Sequence, residues 1–172
     1  VEASSGIAAG RTHPSIVVEG ERVRLYLSTG TTLVHTEATR ALAFGAETEV
    51  LAPDPECFDT SGEVETCWDA DAITEAEVRR ARTATGQTLY RMFYAAHDGG
   101  STELGFAASY DGVAFSRYAY NPVVTGSGNE RSPTSVLAAE TYLLLWDESR
   151  NPPSFGGIVR AEHVPSAPSD RW

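Results

Sequence analysis

Lysine is missing from this chain. All 13 basic residues are arginine, set against 24 aspartates and glutamates for a formal net charge of −11; a phosphate backbone would meet a repelling field, so nucleic acid is not expected as a partner. Long apolar runs are missing as well. None approaches the roughly 20 residues that cross a bilayer as a helix, so no membrane span is expected. The opening Val1-Glu2-Ala3-Ser4-Ser5-Gly6 has no basic stretch followed by an apolar one. The expectation is a soluble chain from which any export signal has already been removed. Neither an H-x-x-x-H pair, a Gly-rich phosphate loop nor a G-x-S-x-G elbow occurs. Neither a metal nor a cofactor is therefore expected, and His35, His97 and His163 are given no catalytic role.

Cysteine is nearly missing, with only two in 172 residues. Cys57 and Cys67 bracket a short polar loop that a disulfide closes easily, and a bridge is the expected state. Two free thiols in a cytosolic protein are the alternative reading. A bridge, with the acidic composition, suits an extracellular or periplasmic (secreted) setting. With 41% hydrophobic residues the chain can bury one core, which implies a single domain or a fragment of one.

What the chain has is repetition. Leu104 to Phe115, LGFAASYDGVAF, matches Leu33 to Phe44, LVHTEATRALAF, in length and end residues, and Gly156-Gly157-Ile158-Val159-Arg160-Ala161-Glu162-His163 reads as a third start. An apolar run precedes each copy: Leu25-Tyr26-Leu27, Met92-Phe93-Tyr94, and Leu143-Leu144-Leu145-Trp146. Fixed-period self-similarity marks a repeat architecture. Glycine and proline punctuation, with alternating side chains, predicts strands at residues 13–18, 23–29, 32–37, 44–51, 88–96, 104–109, 113–120, 132–137, 141–146 and 157–163, with a loop over 147–155. Residues 74–80 read either as a helix, from the Thr74/Glu77 capping-box spacing, or as a strand. The strand is preferred because Thr74-Glu75-Ala76-Glu77-Val78 takes the place of Thr12-His13-Pro14-Ser15-Ile16 in the repeat. The consecutive apolar residues 143–145 predict a strand covered on both faces. Blade-like units at about residues 13–53, 68–124 and 131–163 follow, the third lacking its fourth strand.

The succession HPSIV, LYLSTG, LGFAASYDGVAFSR and NPVV resembles five-bladed β-propellers of the arabinanase, xylosidase and invertase type of glycoside hydrolase. The resemblance implies an all-β fold, here a partial propeller of four-stranded antiparallel blades, with two and a half to three blades of five. It also implies carbohydrate at the axis, with further blades supplied by a longer chain or another subunit. In such proteins carboxylates at the starts of the innermost strands act on a glycosidic bond. Hydrolysis needs an acid and a second carboxylate roughly 5 to 10 Å apart.

Here the matching positions depart. His13 stands where the first Asp is usual, Glu75 or Asp69 at the second place, and Glu130 precedes Arg131-Ser132-Pro133 with one extra residue. Glu130, Glu75 and Asp69 are the catalytic candidates; His13, Arg131 and Trp68 are the substrate-binding ones. Each has a plainer reading: His13 as a strand cap, Asp69 and Asp71 as solvated loop acids, Glu130 with Arg131 as a surface ion pair, and Trp68, Trp146 and Tyr94 as core. Two functions remain open: a carbohydrate-active propeller that hydrolyses or binds glycans, and a secreted structural or interaction module without catalysis.

Overall fold

The computed structural model describes residues 7–39, 42–55, 57–58, 64–65, 67–83, 85–126, 129–138, 141–150 and 154–163. Among the described residues every regular element is a strand. Residues 1–6 and 164–172 lie outside them. The Cys57 side chain, and with it the expected Cys57–Cys67 bridge, also lies outside them.

β1 (Thr12–Glu19), β2 (Arg22–Ser28), β3 (Leu33–Thr39) and β4 (Thr48–Leu51) form one antiparallel sheet in chain order. β5 (Cys57–Phe58) and β6 (Val64–Glu65) pair with each other, giving the cysteine loop a short ladder where only a loop was expected. β7 (Ala72–Arg82), β8 (Thr88–His97), β9 (Thr102–Ser109) and β10 (Ser116–Arg117) make the second four-stranded sheet, and β11 (Glu130–Ala138), β12 (Thr141–Arg150) and β13 (Ser154–His163) a third of three. Residues 74–80 are thus strand. Tertiary pairing with β8 decides it, because ladder partners for 73 and 75–82 satisfy the backbone donors that a short isolated helix would leave open.

The outer strands are shorter than expected. Of residues 113–120 only Ser116–Arg117 pairs, because the Asp111 carboxylate draws in the N–H groups of Val113 and Ala114 and keeps that stretch a turn. Likewise the fourth strand of the first sheet spans only Thr48–Leu51, not 44–51. The expected loop over 147–155 is mostly hairpin, with Arg150 opposite Ser154.

Packing joins the sheets face to face. Tyr26, Leu33 and Leu51 of the first sheet share a core with Ile73, Met92 and Tyr94 of the second, and Ala95 and Leu104 of the second meet Leu144 and Trp146 of the third. The two Leu residues that open the repeat copies, Leu33 and Leu104, are 1% and 0% exposed, so the repetition in sequence is repetition of core position. Leu143 and Leu145 are half-buried; the described core on β12 lies on one face, not both.

Two glycines permit close approach between layers. A Cβ on Gly105 would sit 2.5 Å from Tyr94 Cζ and 2.7 Å from Trp68 Cη2. Gly112, at φ +77, lets its carbonyl accept the Tyr26 hydroxyl at 2.9 Å while Arg24 Nη1 donates to the Asp111 carbonyl at 2.6 Å.

Candidate functional site at the starts of the inner strands

β1, β7 and β11 are the edge strands of their sheets, and all three border one cleft of about 520 Å³. Each starts with a break in its ladder: between Thr12 and Ser15, between Ile73 and Glu75, and between Arg131 and Thr134. An extra residue in a ladder bends the strand and re-aims side chains. Here it directs the first residues of three strands toward one another. His13 and Ser132 adopt φ of 48° and 50°, each directly before a proline, where the extended region is the unstrained one. Backbone strain of this kind persists only where surrounding structure holds it.

Glu75 is the centre of the group and is 8% exposed. Its Oε2 accepts the Ser132 N–H at 2.5 Å, and its Oε1 lies 3.4 Å from His13 Nε2. The other ring nitrogen of His13, Nδ1, is 3.1 Å from Thr12 Oγ1. One residue pair further along β7, Glu77 accepts the hydroxyls of Thr134 at 3.1 Å and Ser135 at 2.5 Å and pairs with Arg79 at 2.6 Å. On the other side Ser15 Oγ accepts the Val78 N–H at 2.9 Å. Hydroxyls and carboxylates thus stitch the inner strands where no backbone ladder joins them.

The sequence candidates divide. His13 and Glu75 are brought together, with Arg131 beside them in the chain through Ser132. Asp69 is not: it is 1% exposed, Arg117 Nε donates to its Oδ2 at 2.9 Å, and Tyr94 OH lies 3.5 Å away. Arg117 also donates to the Ala52 carbonyl. Burial pushes the Asp69 carboxyl up, and Arg117 offsets this only in part. The solvated-loop reading of Asp69 therefore fails, because a buried charge persists where a partner neutralises it. Trp68 stacks on Tyr94 with ring centroids 5.5 Å apart and packs against the shared core. Glu130 is 1% exposed rather than at the surface. Burial, then the charges of Glu130 and Asp98, push the neighbouring Glu103 carboxyl up. Arg131 is exposed.

The role of Ser132 was beyond sequence reasoning, since it acts through its backbone N–H. The signal available was positional: the hydroxyl residues Ser15, Thr134 and Ser135 recur just after His13-Pro14 and Ser132-Pro133.

Comparison with solved structures settles the architecture. A GH32 β-fructofuranosidase from Bombyx mori superposes with a TM-score of 0.62 at 15% identity, over 90% of this chain and 33% of that one. A glycosyl hydrolase from Bacteroides ovatus gives 0.60 at 18% identity, over 91% and 47%. The fold is that of a partial five-bladed β-propeller. A third propeller, from the GH130 family of mannoside phosphorylases, which contains glycoside hydrolases that target β-1,2-mannosidic linkages in Candida mannan, gives 0.61 at 17% identity, over 91% and 46%. The chain spans less than half the length of each of these propellers. No family model matches the sequence, and no curated protein sequence matches it significantly.

Proposed function

We propose that this chain is the glycan-binding part of a carbohydrate-active propeller, with the sugar held over His13, Glu75 and Arg131 at the starts of the inner strands. The convergence of His13, Glu75 and Ser132 carries the reading, because three separate sheets contribute to one polar group, and the residues that follow each of them, Pro14, Ala76 and Pro133, line a cleft. Structural likeness to glycoside hydrolases supports carbohydrate as the ligand class by analogy of fold. The remaining blades come from a longer chain or from another subunit, and residues 13–53, 68–124 and 131–163 are the blade units of this one.

Binding is favoured over hydrolysis by the separation of the candidate carboxylates. A hydrolase needs one group free to give a proton and one free to activate water or attack. Of the three candidate carboxylates only Glu75 joins His13; Asp69 is buried against Arg117, and Glu130 is 1% exposed. Glycan-array binding followed by calorimetry tests the reading, alongside turnover assays on a panel of furanosides and pyranosides. Binding without turnover, weakened by His13→Ala and Glu75→Gln, is the expected result. Turnover abolished by Glu75→Gln or Glu130→Gln would establish a hydrolase instead, and failure to bind any glycan would leave a structural module. We also propose export with Cys57 and Cys67 bridged. Non-reducing mass spectrometry should show two hydrogens fewer than the dithiol, and alkylation of both thiols in native protein would refute it.

A further inference from the structure

Arginine partners set one residue apart. Arg11 pairs with Glu47, Arg22 with Glu37, Arg24 and Arg80 with Glu19, Arg79 with Glu77 and Arg117 with Asp69. Arg82 donates to the Gly86 carbonyl. Among the described residues only Arg131 is an exposed arginine with no carboxylate or hydrogen-bond partner, although Asp147 stands directly across the ladder from it. A chain with 24 acidic residues and 13 basic ones has carboxylates to spare, so an unpaired guanidinium is a distinct feature of this place.

Its place in the chain is next to the candidate site. Arg131 immediately precedes Ser132, whose N–H holds Glu75, and Glu75 in turn faces His13. Glu75 is thus engaged from both sides, while Arg131, one residue before Ser132, keeps its planar fork of donors without a protein partner. That fork matches an oxyanion with two parallel N–H···O bonds, and the charge makes each of them about twice as strong as a bond to a neutral hydroxyl.

We propose that the glycan taken at this site carries an anionic group, a sugar carboxylate, seated on Arg131. The inference rests on the glycan-binding reading and deepens it by naming the ligand class. The net charge of −11 works against any non-specific attraction of anions, so a preference for an acidic sugar reports a local contact.

The test uses the whole chain and calorimetric titration with three oligosaccharide probes: oligogalacturonate, the same oligomer as its methyl ester, and a sulfated oligosaccharide. A charge-assisted bidentate contact is expected to favour the free acid over the ester by about tenfold or more. Arg131→Gln should remove that preference, Arg131→Lys should restore part of it, and Arg82→Gln, which makes the same charge change elsewhere, should leave it intact. Equal binding of acid and ester, with neutral glycans still bound, overturns the anionic-sugar proposal while the glycan-binding reading survives. Preference for the sulfated probe alone overturns the carboxylate assignment. Binding of no glycan, neutral or acidic, overturns both.

Discussion

The Asp111 carboxylate accepts the Val113 N–H, the Ser109 hydroxyl and the Ala114 N–H, and these bonds hold its pKa at about 2 against an ordinary 3.8. A carboxyl lowered by folding adds stability that is complete above 3.8 and is lost as pH falls toward about 2. Asp111→Asn should therefore cost about 1 kcal/mol at neutral pH, a figure reduced for solvent screening because the residue is exposed. The deficit should fade below pH 3 in urea unfolding curves; a constant difference would contradict the assignment. Asp69 has the opposite sign. Burial raises its pKa, so its protonated form favours the folded state and its stabilising contribution is lost as pH rises through the raised value. Removing its counter-ion by Arg117→Ala leaves a buried charge uncompensated and should cost about 3 kcal/mol at pH 7. That is the low end for such pairs, because the Arg117 side chain keeps 28% of its surface exposed. The loss should shrink on acidification.

Between elements, single atoms replace ladders. Val78 N–H on β7 finds its acceptor in Ser15 on β1, so Ser15→Ala leaves a backbone donor unsatisfied at the sheet junction. A cost of roughly 1 to 3 kcal/mol follows, and hydrogen exchange at Val78 should speed up more than at Met92, its ladder partner. Unchanged exchange at Val78 would show that water replaces the hydroxyl without loss. Where β9 passes under Trp68 and Tyr94, Gly105→Ala drives a methyl group into both rings. Over-packing of that kind costs about 1 to 3 kcal/mol, and the near-UV circular dichroism of the stacked pair should change with it.

At the scale of the whole molecule, stability is distributed along the row of sheets. The first and second share a core that includes Ile73 and Met92, both 0% exposed, while Leu144 and Trp146, at 6% and 8%, join the third sheet to the second. Opening of the third sheet is expected at lower free energy than global unfolding. Amides of β12 should then exchange before those of β8 in native-state hydrogen exchange. Met92→Ala should cost about 2 to 5 kcal/mol by leaving a cavity that rigid neighbours cannot fill. Equal protection in β8 and β12 would instead make the three sheets one cooperative unit.

The sequence by itself determined the strand periodicity, the repeat and hence the blade-like sheets, because inward and outward positions alternate along each strand and Leu33 and Leu104 recur at the same core place. Strand over helix at residues 74–80 was legible from the repeat alone, against a capping-box spacing that favoured helix. Glu75 and His13 were legible as candidates from the resemblance to five-bladed propellers. Their meeting was not. Which of Glu75, Asp69 and Glu130 reaches the inner-strand cluster depends on three ladder breaks and on two residues at positive φ, and such breaks are set by how whole sheets pack against each other. Asp69 had a loop's surroundings in the sequence and acquired a buried partner, Arg117, from 48 residues away. Tertiary structure alone could decide that, since an ion pair between distant segments leaves no local pattern.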